Sequence, residues 1–401
     1  MSDIKKNKKL IVQKYGGATL ATPEKIKQVA LRIHNLHQTG TDVVVVVSAM
    51  GQTTNQLIEL ARNVSPNPHL RELDMLLTVG ERISMSLLSM ALNDLGSRAI
   101  SFTGSQAGIL TDDSHVNATI IDVKGFRVEQ ALQENKIVIL AGFQGVSPQT
   151  KEITTLGRGG SDTSAVAMAA FLKADRCEIL KDVDAVYSAD PKIINRALAF
   201  THLHYDHLLE MTKWGAKVLH YKSVEMAKQK KVTLYIGSAA DQKKIGTTVT
   251  EISDKITKKF LSVNSFEKVF EMKTKDTELS SIQKNFSNYL NSFQISATEV
   301  LFNTGSTFLL AGPKENLELI EKINFLSSGF ELIQSNLCTI SLTCADSPTA
   351  LQKEHVIRQL SDIQVPVQHS HISNKNINLV LKKDDHSKAI QLLHLLVDQG
   401  D

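Results

Sequence analysis

The run Thr154-Thr155-Leu156-Gly157-Arg158-Gly159-Gly160-Ser161-Asp162-Thr163-Ser164 holds the densest chemistry in the chain. Glycines on both sides of Arg158 let the backbone approach a ligand closely, and a guanidinium forks onto a carboxylate or a phosphate. Asp162 falls where an Ala-rich helix (Ala165, Ala167, Ala169, Ala170) should begin, the place of an N-cap. A second cluster, Lys14-Tyr15-Gly16-Gly17-Ala18-Thr19, sets a lysine beside two glycines at a strand-to-helix turn. Backbone N–H groups at such a turn receive an anion, and the lysine adds a point charge for phosphate. Ser48 and Thr54 flank Ala49-Met50-Gly51 after a run of valines, where α/β proteins bind ligands. Glu81, next to Gly80 in an apolar helical pattern, needs a cation: Arg82, Arg71 or a ligand amine.

Two further clusters complete the set. Asp182-Val183-Asp184-Ala185-Val186-Tyr187-Ser188-Ala189-Asp190-Pro191-Lys192 follows an apolar strand, where carboxylates hold Mg²⁺ or nucleotide hydroxyls or else merely build a turn. Lys217 follows a Gly215-Ala216 turn and by itself reads as a solvated side chain. Taken together, lysines, one arginine, glycine-rich strand ends and carboxylates describe a phosphoryl-transfer site, where fixed cations neutralise the moving group and positioning does most of the catalysis.

The elements that must position these groups alternate. Apolar runs at Lys9–Gln13, Val43–Val47, Lys136–Ala141, Cys177–Leu180 and Val232–Ile236 lack polar alternation, which predicts strands buried on both faces of a mostly parallel sheet. Helical spacing covers Thr22–His37, and Asp74–Leu95 reads as one long apolar helix. The last 140 or so residues change character. A hairpin is expected from Glu299–Phe302 to Thr307–Leu310, with helices over Glu278–Asn291, Glu315–Phe325, Thr349–Asp362 and Asp385–Val397. Helix, strand, strand, helix occurs twice, which predicts two small α+β units in tandem after a boundary near Asp254–Lys259.

Composition narrows the classes. The chain has 401 residues, 42% hydrophobic and 22% charged, with a formal net charge of +3. That is globular and multi-domain, with too little charge to make nucleic acid or a membrane the main partner. Cys177, Cys338 and Cys344 are too few and too scattered for a disulfide framework or a zinc site, so reduced thiols in a cytoplasmic protein and no protein-held metal are expected. The start, MSDIKKNKK, has no apolar core and does not read as a signal peptide.

These motifs, in this order, resemble the aspartokinases of the amino acid kinase family. Beyond the clusters above, the matching strings are Asp74-Met75-Leu76-Leu77-Thr78-Val79-Gly80-Glu81, Phe102-Thr103-Gly104-Ser105-Gln106-Ala107-Gly108, Ala141-Gly142-Phe143-Gln144-Gly145 and Gly215-Ala216-Lys217-Val218-Leu219-His220. The resemblance implies an amino acid kinase fold over residues 1–252 and two ACT-like regulatory units at 260–335 and 336–401. It implies transfer of phosphate from ATP, with Mg²⁺, to the side-chain carboxylate of L-aspartate, the first step towards lysine, threonine and methionine. A weakly active paralogue kept as a ligand-sensing subunit is the alternative.

The resemblance also implies roles. Lys14 and Lys217 would contact the phosphates, and Asp162 would hold those lysines. Arg158 would take the α-carboxylate of aspartate and Glu81 its amino group, with Ser48, Thr54 and Ser161 completing the pocket. Gly16, Gly17, Lys181, Asp182, Tyr187, Asp190 and Lys192 would line the nucleotide site. A homo-oligomer formed through the ACT-like units is expected. This chain departs from the family at Lys181, where Thr or Ser is usual, and at Ala185 and Ala18. In the regulatory half, Phe293–Thr298 and Leu342–Asp346 lack the Asn-Ile-Asp sequence and glycine-rich turn of the family, which argues against strong inhibition by free lysine or threonine.

Overall fold

The computed structural model describes residues 8–241, 244, 246–252, 258–292, 299–304, 306–312, 317–318, 320–322 and 329–399. Its contacts divide the chain into two compact units. The first comprises Met1–Val186, Thr201–Tyr205 and Val218–Ser253, and the second Tyr187–Phe200, Asp206–Lys217 and Asp254–Asp401.

The first unit is built on an eight-stranded sheet. Its order is His202–His204, Thr247–Thr250, Leu234–Ser238, Arg176–Lys181, Leu10–Tyr15, Asp42–Val47, Ile137–Ala141 and Ala99–Phe102. Every neighbouring pair is parallel except Leu234–Ser238 with Thr247–Thr250. All five valines Val43–Val47 are fully buried, because the sheet is covered on both faces. On one face Val43, Val45 and Val47 pack with Ile26, Val29 and Ile33 of the helix Pro23–Gln38 and with Leu88 and Leu92 of Val79–Asp94. On the other lies the helix Gly160–Leu172. Thr22 caps Pro23–Gln38 by accepting from Lys25 N at 3.4 Å, with Pro23 opening the helix. A four-stranded sheet (Ile120–Val123, Ile109–Thr111, Gln144–Val146, Ile153–Thr155) leads into the glycine-arginine loop.

The expected helix Asp74–Leu95 is two helices, Leu70–Leu77 and Val79–Asp94, joined at Thr78. Gln144 Nε2 donates to Thr78 O at 3.2 Å, and the helical bond from Arg82 N to the same oxygen is stretched to 3.4 Å. A side chain inserted into the ladder is a standard cause of such a break. Leu70–Asp94 is long and apolar enough to cross a membrane by length and composition alone. Half of its most apolar stretch is buried, and the buried residues of the segment include Asp74 and Glu81, as in the core helix of a globular domain.

The second unit holds a six-stranded antiparallel sheet. Its order is Glu299–Thr304, Thr307–Ala311, Phe260–Thr274, Phe330–Cys344, Asn376–Lys382 and His369–Ser373. The expected hairpin is its edge. The two halves share this one sheet because the long strands Phe260–Thr274 and Phe330–Cys344 pair with each other. Helices Leu279–Ser292, Ala350–Asp362 and His386–Gln399 match the expected spans, and Thr349 and Gln352 form a capping box. One sheet face packs under those helices through Ile282, Phe286, Val356, Leu360, Ile390 and Leu393. Val269, Leu309, Leu337 and Val380 surround Trp214. Most of the expected helix Glu315–Phe325, the stretch Phe293–Thr298 and much of the boundary near Asp254–Lys259 lie outside the described residues.

Candidate active site

Lys14 sits near the C-terminal end of a central strand, between Arg176–Lys181 and Asp42–Val47. Its side chain is 7% exposed, and its Nζ lies 2.6 Å from Asp162 Oδ1. Asp162 is not the N-cap: that position belongs to Gly159, whose φ of 71° is left-handed, and Asp162 falls in the first helical turn. Its other oxygen, Oδ2, is 3.7 Å from Lys181 Nζ. Burial pushes the Asp162 carboxyl up, but the charges of Lys14 and Lys181 outweigh it and hold the group below the usual carboxylate range. Burial in turn lowers Lys181, with Lys14 adding to the shift.

The glycine loop after Lys14 is there for close approach. A Cβ on Gly17 would fall 2.7 Å from Ala49 O, and Gly51 N donates to Gly17 O at 3.0 Å. The Ser48–Thr54 loop is thereby held against the lysine loop. Glu81 ties in from the other side. Its Oε1 accepts from Ala49 N at 3.0 Å, and Gly80 leaves room because a Cβ there would strike Ala49. Burial pushes the Glu81 carboxyl up to about 7, and its Oε2 is buried with no hydrogen-bond partner among the described residues.

Lys14, Gly17, Ser48, Thr54, Glu81, Arg158, Ser161 and Asp162 line one cavity of about 310 Å³. Gly16 adjoins Lys14 Nζ. Lys181 and Asp182 line a second cavity, of about 470 Å³. Tyr187, Asp190, Lys192 and Lys217 belong to the second unit. There Asp190 Oδ1 accepts from Lys192 N at 2.9 Å in a turn, and Lys217, 69% exposed, is 3.3 Å from Glu267.

Two residues at this site were missed in the sequence. Phe143 lines the 310 Å³ cavity with φ of 68°, a left-handed conformation that costs an aromatic residue energy and is held by bonds from Phe143 N to Ser164 Oγ and from Leu156 N to Phe143 O. It was quoted within Ala141-Gly142-Phe143-Gln144-Gly145 without a role. Asp74 was quoted as part of a motif without a role. Fully buried, it accepts from Thr155 Oγ1 at 2.6 Å and Val116 N at 3.1 Å, and its Oδ2 lies 2.6 Å from His115 Nδ1. Thr155 leads directly into Gly157-Arg158, and Gly157 packs on Asn117 and Val116. Asp74 therefore fixes the base of the arginine loop. Asp74→Ala is expected to lower stability by about 1–3 kcal/mol, from the donors it leaves unpaired, a loss that denaturant melts check.

Parallel strands ending in glycine loops bring a buried Lys–Asp pair and an arginine between left-handed glycines to one cavity. The amino acid kinase family model matches residues 9–238, and the chain belongs to that family. It is similar to the aspartokinase of Mycobacterium tuberculosis, 52% identical over 245 residues that cover 61% of this chain and 58% of the relative. It is also similar to the aspartokinase of Corynebacterium glutamicum, 55% identical over 230 residues, 57% of this chain and 55% of the relative. Each match spans less than two thirds of the relative's length. The fold is that of Escherichia coli aspartokinase III, solved in complex with aspartate and ADP, with a TM-score of 0.76 at 21% identity over 97% of this chain and all of that one.

Proposed function

We propose that this chain is an aspartate kinase, passing the γ-phosphoryl group of ATP to the side-chain carboxylate of L-aspartate to give 4-phospho-L-aspartate and ADP. The observation that carries this is Glu81, a buried carboxylate with an unpartnered oxygen lining the same cavity as Arg158 and the Lys14–Asp162 pair. A site with one anion for an ammonium, one guanidinium for a carboxylate and a lysine at its floor suits an α-amino acid with a second acidic group.

The chemistry asks little of the protein. A side-chain carboxylate is ionised at neutral pH, so its oxygen attacks the γ-phosphorus directly. The bond to the β,γ-bridging oxygen breaks, ADP leaves with the electron pair, and no proton need move. Lys14 offsets charge on the transferred group while Arg158 and Glu81 hold the amino acid in line. By the same resemblance Lys217, Tyr187, Asp190 and Lys192, with Asp182, serve the nucleotide. Mg²⁺ would arrive with the phosphates, whose oxygens supply much of its coordination. The ACT-like repeats 260–335 and 336–401 would pair subunits. Cys177, Cys338 and Cys344, buried and unbridged, fit a cytosolic enzyme.

Glu81 gives the reading a pH signature. With its carboxyl near 7, the group is neutral below that pH and cannot pair with the substrate ammonium. The KM for aspartate should therefore fall as pH rises through about 7, and Glu81→Gln should raise that KM and flatten the dependence. The stability sign is opposite. The native state holds a proton that the unfolded chain has lost between about 4.5 and about 7, so stability declines as pH rises through that window. Initial rates and thermal melts across pH 5.5–8.5 check the pair of slopes, that range being roughly the span over which a group near 7 titrates.

A further inference from the structure

We propose that Lys181 is a positioning residue for phosphoryl transfer, sharing Asp162 with Lys14 so that the buried cluster carries a net positive charge toward the nucleotide phosphates. This rests on the kinase reading and deepens it. The argument begins with charge. Lys14 and Asp162 alone, 2.6 Å apart and 7% and 5% exposed, cancel. A buried neutral pair offers little to an incoming polyphosphate, because the carboxylate already takes much of the lysine's field. Lys181 changes the sum: two ammonium groups on one carboxylate, +2 − 1, leave +1.

The geometry puts that surplus in a useful place. Lys14 and Lys181 stand at the ends of adjacent parallel strands, with Lys14 in register with Ile179. Each approaches a different oxygen of Asp162. Lys14 and Asp162 line the 310 Å³ cavity and Lys181 the 470 Å³ cavity, so the Lys–Asp–Lys bridge joins the walls of both. Lys181 is 20% exposed, open enough for a phosphate oxygen to reach it. The other charged groups facing Lys181 are Asp182 beside it, which is exposed to solvent and screened there rather than part of the buried cluster, and Lys25 and Arg32 across the second cavity. The latter two are engaged by backbone carbonyls, Lys25 by Ala18 O and Arg32 by Ser238 O and Ala239 O.

The test compares the full-length wild type with Lys181→Met and Lys181→Arg, using MgATP binding by calorimetry and steady-state kinetics with L-aspartate. Lys181→Met should lower kcat by about ten- to a hundredfold and weaken MgATP comparably, the size expected for one preorganised charge, while the KM for aspartate moves less than about twofold. Lys181→Arg should recover most of the loss. Because burial lowers Lys181, wild-type MgATP affinity should decline at alkaline pH as the ammonium deprotonates, and in Lys181→Arg that limb should move to higher pH. This second readout holds even if the methionine variant fails to fold. Unchanged kcat and MgATP affinity in Lys181→Met, a loss confined to aspartate KM, or an alkaline limb that stays in place in Lys181→Arg would each overturn the proposal. If the wild type turns over no aspartate, the aspartate reading fails, and the binding comparison still decides the role of Lys181. A wild type that binds no MgATP overturns both.

Discussion

Lys14→Ala is expected to lower kcat by about a hundred- to a thousandfold, the range for removing one preorganised charge from a transition state, with a change of less than about threefold in aspartate KM. The lysine is buried at the end of a central strand, bound at 2.6 Å to a carboxylate fixed in the first turn of Gly160–Leu172. Its ammonium is therefore already desolvated and aimed before any substrate arrives, and this preorganisation makes a charge effective in the transition state rather than in the ground state. Stability should fall as well. Breaking a buried pair costs about 3–5 kcal/mol when the other ion is left alone, but Lys181, 3.7 Å from Asp162, remains as a counter-ion, so the loss should be smaller. A Lys14→Ala enzyme with more than about half its activity would mean that the ion pair is structural only.

Arg158→Ala is the second large effect. Losing a forked, charge-assisted pair to a carboxylate costs about 2–4 kcal/mol, or tens to hundreds-fold, and here the loss should appear in the KM for aspartate while the KM for ATP stays within about twofold. Arg158 itself is exposed, and the loop that carries it is shaped by the glycines on either side. Gly157 and Gly159 have φ of 68° and 71°, and a Cβ on Gly159 would come within 2.2 Å of His220. An aspartate KM equal to the wild type would remove Arg158 from the substrate site.

Much of this arrangement was legible in the sequence because it depends on local burial. Uninterrupted valines mark a strand covered on both faces, and Thr22-Pro23 and Thr349 with Gln352 mark helix starts. The clusters at Lys14, Ser48, Glu81 and Arg158 lie at strand ends and on the helix after them, and the sheet order brings them to one cavity. What was not legible depends on contacts between distant segments. The break at Thr78 is made by Gln144, and no periodicity in Asp74–Leu95 records it. Lys181 read as a departure from a family pattern, and only the pairing of its strand with that of Lys14 shows that it meets Asp162. The grouping of Tyr187–Phe200 and Asp206–Lys217 with the C-terminal sheet has the same origin. Trp214 is 1% exposed among Val269, Leu309, Leu337 and Val380, residues far along the chain. An apolar side chain advertises that it will be buried, but not which sheet will bury it.

The measurement closest to the central claim is coupled ADP release by the purified chain with MgATP and one carboxylate at a time, alongside hydroxylamine trapping of the acyl phosphate. L-Aspartate should release ADP with an equal amount of trapped hydroxamate, and L-glutamate and N-acetyl-L-glutamate should give at least about tenfold less, since an extra methylene or a blocked amine spoils the span between Arg158 and Glu81. ADP release independent of L-aspartate, or equal with glutamate, would contradict the account.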